Sequence, residues 1–354
     1  MTAERSLARD AVLLAVPRLG LSLRLSRRSI ALTVTSVAAA AIIAAVSITI
    51  GEYPLTVAGV LRVLRGGGTL IEQDVVLDDR LPRALTGLGV GAAFALSGAI
   101  LQRLAANPLV SPDVVGINSG AATGALTVML ILGGSGVELT VGALVGAALT
   151  VLAIVLIAYR RGLLGFRLVL VGIGVAALLS SAISYLLTRS DVHQVQAAAG
   201  WLTGSLANRS GTHVTIIGVT LTLAAMALTV LGRDLRVQEL GNDLARTLTG
   251  TRDARRIPLL LVAVGLAAMA TAAAGPIGFV ALVAPQITRR VLAERQIGLA
   301  PSAAVGALLV AGADLVSRLI FAPDEMPVGV LTAVLGAPVL LVLLARAHRI
   351  GAAG

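Results

Sequence analysis

Long charge-free apolar stretches recur along this chain, separated by short connectors that carry arginine, and their lengths set the first expectation. A helix needs ~20 apolar residues to cross the ~30 Å hydrocarbon core of a bilayer. Residues 30–50 satisfy this cleanly, and 84–102, 114–132, 139–159, 168–187 and 213–231 follow. Towards the C-terminus 299–320 and 327–344 qualify as well, the former with Asp314 and Arg318 inside it. The stretch 257–288, IPLLLVAVGLAAMATAAAGPIGFVALVAPQIT, is too long for one helix and short for two. Gly275-Pro276 and Pro285 break it, because proline lacks a backbone donor and clashes with the preceding turn. Arg252, Arg255 and Arg256 precede it and Arg289, Arg290 and Arg295 follow it, so both ends belong on the cytoplasmic side. It enters and returns as one full helix and one short broken one. The pattern predicts an all-α polytopic membrane protein with ten transmembrane helices and both termini inside.

Arginine placement tests that topology. Of the 28 basic residues, 21 fall on the side assigned to the cytoplasm and 7 (Arg62, Arg65, Arg80, Arg83, Arg189, Arg209 and Arg318) on the other. The orientation follows the positive-inside rule, which leaves Arg80 and Arg83 unexplained at the outer mouth of an apolar run. Segments 2–5 begin outside and segments 7–10 begin inside. Each block holds a helix interrupted by proline and glycine: ANPLVSPDVVGINSG in the first, AGPIGFVALVAPQ in the second. Broken helices at matching places in halves of opposite topology point to an inverted repeat around a transport path. Residues 1–29 carry six arginines and read as a cytoplasmic basic tail, disordered or lying on the membrane surface. Residues 30–350 form a single transmembrane domain with a long connector at 232–257.

Composition adds exclusions. The chain is 57% hydrophobic and only 13% charged, and its mean hydropathy is +0.95. Aromatic residues make up 2%, against a β-barrel with its aromatic girdles. The many Gly and Ala residues favour close helix packing. There is no cysteine, which excludes disulfides and thiol chemistry, and three scattered histidines supply no metal site. Every basic residue is Arg, so no Walker A lysine exists and the chain cannot hydrolyse ATP by that route.

Seven stretches, in order from 80 to 338, resemble the FecCD-type permease subunits of ATP-binding-cassette importers for iron–siderophores, haem and vitamin B12. They are RLPRALTGLGVGAAFALSGAILQ (80–102), NPLVSPDVVGINSGA (107–121), WLTGSL (201–206), LGNDLARTLTG (240–250), AGPIGFVALVAPQITR (274–289), ADLVSRLI (313–320) and MPVGVLTAVLGAP (326–338). Gln286 stands where the family usually has His, and Met326 where it usually has Leu. The resemblance implies the type II importer permease fold and a second permease subunit, identical or not. It also implies two ATP-binding subunits, an extracytoplasmic substrate-binding protein and no cofactor. Its implied cargo is a ferric siderophore or similar bulky metal chelate, moved through the cytoplasmic membrane. A self-sufficient, ion-coupled secondary transporter of a small solute is the rival reading.

The resemblance assigns roles that compete with plainer ones. Arg80 and Arg83, joined by Arg318, are expected to form a socket for acidic residues of the binding protein, since a guanidinium fork suits a carboxylate. The plainer reading pairs them with Asp74, Asp78 and Asp79. Leu240, Leu244 and Leu248 recur at helical spacing. With Gly241, Ala245 and Gly250 they match the family's coupling helix, which seats on the ATPase; otherwise 232–257 is a solvated basic connector. Asn107 and Leu109 match the cytoplasmic gate, or else Asn-Pro simply starts a turn. Asp314 is expected to pair with Arg318, four residues on along the same helix face, rather than to relay protons. Trp201 is expected at the membrane interface.

Overall fold

The structure is a computed structural model that describes residues 11–16, 21–158, 165–238, 252–293, 297–320 and 325–351. It begins with two antiparallel strands, β1 (Ala11–Val16) and β2 (Leu21–Ser26), with Val12 opposite Leu25 and Leu14 opposite Leu23. This differs from the expectation of a disordered tail; the remaining elements of the described chain are helical, as the all-α reading expects. The signal was in LSLRLS, where apolar and polar residues alternate with the period of a strand.

Twelve helices of eight residues or more follow among the described residues. They are α1 (Arg27–Thr49), α2 (Val57–Leu64), α3 (Leu81–Leu104), α4 (Ile117–Leu130), α5 (Val137–Ala158), α6 (Gly165–Arg189), α7 (Val192–Leu202), α8 (Gly211–Gln238), α9 (Arg252–Ala274), α10 (Val280–Leu292), α11 (Leu299–Ile320) and α12 (Val328–Gly351). Among the described residues, seven helical stretches are long and apolar enough to cross a membrane. A helix also covers each of the three remaining predicted segments: Ile117–Leu130, Val280–Leu292 and Val328–Gly351.

Helix α3 is the hub. The stretch Leu70–Leu104 is the most enclosed of the apolar spans, whereas α1, α6 and α8 present most of their surface outward. Helices α8, α9, α10 and α11 pack around α3. Small residues make that possible. A Cβ at Gly98 would lie 1.7 Å from the Ala281 carbonyl oxygen, so only glycine lets α3 and α10 touch backbone to backbone. Helices α4 and α5 use the same device: Gly120 and Gly124 on one face Gly146 and Gly142 on the other.

The two interrupted helices start alike. Gly116 precedes α4 with φ 84°, and Phe279 precedes α10 with φ 67°, both left-handed. Glycine tolerates that region freely, whereas an aromatic residue there is strained and needs support from its surroundings.

Candidate functional site

The arginine cluster is built on an irregular entry to α3. Residues Asp74–Arg80 wind as a π-helix, and the Leu81 N–H reaches the Val76 carbonyl. Asp74, Asp78 and Asp79 are exposed, while Arg80 turns inward and is buried. Arg80 Nη1 donates to the Ile48 carbonyl (3.0 Å) and Nη2 to that of Tyr53 (2.7 Å). Arg318, on α11, donates to the Ser47 carbonyl (3.0 Å), to Ser47 Oγ (2.9 Å) and to the Ile50 carbonyl. Helix α1 has no basic residue in its own last turn. Two distant arginines therefore satisfy its terminal carbonyls and sit at the negative end of its dipole. A Cβ at Gly51 would lie 2.4 Å from Arg80 Nη2 and 3.2 Å from Arg318 Nη2, so the chain passes directly beside both guanidiniums.

Arg83 closes the cluster. Its Nε and Nη2 both reach Asp314 Oδ1, at 3.1 and 2.9 Å, and its Nη1 reaches Glu325 Oε2 at 2.6 Å. Glu325 Oε1 lies 3.4 Å from Arg318 Nε. The expected pairing of Asp314 with Arg318 along α11 is thus replaced: Asp314 is engaged by Arg83 across the bundle, and Arg318 by α1 and Glu325. Helical spacing permits an i,i+4 pair, but the α1 carbonyls and a second carboxylate offer Arg318 more hydrogen bonds than its neighbour does. Pairing of Arg80 and Arg83 with Asp74, Asp78 and Asp79 gives way for the same reason. Three cations and two anions leave the cluster at +1.

A second network joins the two breaks. The Asp113 carboxylate, half-buried ahead of α4, accepts the Phe279 N–H (3.2 Å) at the start of α10 and the Asn118 side-chain amide. Thr271 on α9 reaches Asn118 Oδ1 at 3.4 Å. One acid therefore serves the N-terminal ends of both broken helices, where the helix dipoles favour negative charge. Further along α10, Pro285 has no N–H for the carbonyl of Ala281, four residues back. Gln102 Nε2 supplies donors instead, 3.4 Å from Ala281 O and 3.3 Å from Leu282 O. Gln286 then donates to Gln102 Oε1 and, at 3.2 Å, to the Pro108 carbonyl, while accepting from Arg289 at 2.8 Å.

Against these networks, the predicted gate is local in its bonding. Asn107 Oδ1 accepts the Leu109 N–H at 3.0 Å, and the Asn107 N–H reaches the Gln102 carbonyl at 3.1 Å. That is turn chemistry. Leu240, Gly241, Leu244, Ala245, Leu248 and Gly250 lie outside the described residues. Trp201 is half-buried at the end of α7. The turn after it is tied to the bundle through Ser205 N–H to Ala274 O (2.9 Å) and Gly329 N–H to Gly204 O (3.0 Å).

Sequence reasoning missed Glu325, Asp113 and Gln102. Glu325 sits one residue before a recognised motif, and nothing in its local context reports two arginines. Asp113 lies inside the quoted NPLVSPD, but its partner is 166 residues away. Gln286 looked incidental as a departure from the family pattern, yet it touches the loop that contains Asn107 and Leu109.

Comparison with known proteins identifies the family and the fold. Residues 37–346 match the model of the FecCD transport family. The chain is 40% identical over 299 residues to the ferric enterobactin transport system permease protein FepG of Escherichia coli K12, covering 84% of this chain and 91% of that one. It is 35% identical over 313 residues to the iron(3+)-hydroxamate import system permease protein FhuG of Bacillus subtilis 168, covering 86% and 93%. A solved structure described as an inward-facing metal-chelate type ABC transporter superposes with a TM-score of 0.76 at 28% identity, over 90% of this chain and 99% of that one. With a family model spanning nearly the whole apolar region, and relatives aligned over most of their length, the chain belongs to the FecCD transport family and is a membrane permease subunit of an ABC transporter, without a catalytic centre of its own.

Proposed function

We propose that this permease carries a ferric siderophore, or a similar bulky iron chelate, into the cytoplasm. The observation that carries the reading is 35–40% identity, over at least 84% of this chain, to permeases named for ferric enterobactin and iron(3+)-hydroxamate transport. Ten helices cross the cytoplasmic membrane with both termini inside, as an inverted repeat. In support, α3 followed by α4 and α9 followed by α10 share a pattern: a long helix, then a short one entered through a left-handed residue. A second permease subunit completes the path, and two ATP-binding subunits drive it from the cytoplasmic side through residues 232–257. Asn107 and Leu109 shut the path on that side.

Arg83 and Arg318 form the docking socket for an extracytoplasmic binding protein, with Arg80 holding the end of α1 in place beside them. Bonding favours this division: Arg83 and Arg318 both reach the exposed Glu325 carboxylate, whereas both bonded nitrogens of Arg80 are taken by backbone carbonyls. The rival, ion-coupled reading gains nothing from Asp314, whose carboxylate is neutralised by Arg83.

Proteoliposomes test the reading. Vesicles with this chain and its partner permease alone are expected to take up no ferric siderophore. Adding the ATPase, the binding protein and ATP restores uptake. Uptake without ATP, or its collapse on adding a protonophore while ATP is held constant, overturns it.

A further inference from the structure

Glu325 raises a question that the docking reading leaves open. Its two carboxylate oxygens bridge Arg83 and Arg318, one to each guanidinium. Those arginines have side chains only 7% and 6% exposed, whereas that of Glu325 is 41% exposed. Asp314, the other carboxylate of the cluster, is buried behind it at 6%. Glu325 is thus the surface-facing member of an otherwise enclosed charge cluster, and it fills the position from which a carboxylate can meet both arginines at once.

We propose that Glu325 is a built-in competitor: it occupies the carboxylate site of the docking socket in the resting permease, and a carboxylate of the binding protein displaces it on docking. This rests on the reading of Arg83 and Arg318 as a docking socket and adds the residue that keeps the socket closed. The physical basis is charge and geometry. With Glu325 in place the cluster stands at +1, and with it swung out at +2. An incoming Glu or Asp restores the resting charge and the two-armed bond. The other guanidinium nitrogens with partners remain on Asp314, Ser47 and Ile50, so the exchange requires only rotation of one half-exposed side chain. The partner surface that fits is an acidic one, with a protruding carboxylate and no basic residue beside it. An internal carboxylate at high effective concentration also raises the threshold for entry of any other anion.

The test uses the complete transporter, permease with its ATPase in lipid nanodiscs, and the binding protein that supports uptake in the proteoliposome assay. Glu325→Gln keeps the size of the side chain and removes its charge. It is expected to raise affinity for the binding protein on the order of tenfold, because the competing ion pair is lost while both arginines stay. Labelling with phenylglyoxal, an arginine reagent, read by mass spectrometry at Arg83 and Arg318, is expected to rise several-fold in the same variant. It reports opening of the socket without any binding protein. In parallel, Arg83→Gln and Arg318→Gln are measured in transporters that still co-purify with the ATPase. If these weaken docking while Glu325→Gln leaves affinity unchanged or lower, the competitor is refuted and the socket stands. If neither arginine variant affects docking, the socket reading itself falls and the competitor with it. Unchanged phenylglyoxal labelling in Glu325→Gln also refutes the inference.

Discussion

Replacing Arg83 with methionine removes the cation that neutralises Asp314 while keeping most of the side-chain volume. Asp314 then loses two charge-assisted hydrogen bonds, at 2.9 and 3.1 Å, and stays in a site where its side chain is 6% exposed. Breaking a buried pair from one side costs about 3–5 kcal/mol, since the remaining charge has no partner. Taking about 1.4 kcal/mol per power of ten, the folding equilibrium constant falls by two to more than three powers of ten. The double change Arg83→Met with Asp314→Leu removes both charges. It is expected to recover most of the loss, because an apolar pair of similar volume is close to neutral in such sites. Glu325 keeps Arg318 and its access to water in either variant. Reversible unfolding of the purified permease by sodium dodecyl sulfate in mixed micelles, followed by far-ultraviolet circular dichroism, gives the three free energies. A loss below about 1 kcal/mol in the single variant, or a double variant no more stable than the single one, refutes the buried-pair reasoning.

Two further outcomes are expected. Gln102→Leu leaves the Ala281 carbonyl facing a proline with no donor, so stability is expected to drop by about 1–3 kcal/mol in the same unfolding assay; a change within ~0.5 kcal/mol would mean that the carbonyl is satisfied otherwise. Leu244→Asp with Leu248→Asp is expected to abolish co-purification of the ATPase while the permease remains in the membrane, and retained stoichiometric binding would remove the coupling role of residues 232–257.

Much of the helical plan was legible because apolar length reports membrane spans directly. The breaks at Gly275-Pro276 and before Gly116 were legible from their proline and glycine, but the break expected at Pro285 is absent: Pro285, like Pro258 and Pro338, lies inside a helix. Partner choice was not legible. Arg80 stands beside Asp78 and Asp79 in sequence, but the π-helical turn over Asp74–Arg80 directs its guanidinium inward, to carbonyls 27 and 32 residues back. Arg83 finds Asp314 across 231 residues, where the i,i+4 rule had offered Arg318. In each case a local rule predicted a feasible contact, and burial selected a distant one with more bonds. The β1–β2 pair was missed for a simpler reason: six arginines in the tail drew attention to charge, and the alternation in LSLRLS went unweighed.

The capping of α1 also has a consequence in time. A chain emerges N-terminus first, so α1 is among the earliest parts available to the membrane. Yet the carbonyls of Ser47 and Ile50 receive their side-chain donors from a residue made about 270 positions later. Until Arg318 is made, the first helix has an unfinished end next to Arg80 alone. A nascent chain that stops short of residue 318 therefore carries its defect at the opposite terminus from the one that is missing. The end of α1 gains its last side-chain donors only once α11 has been made and has taken its place.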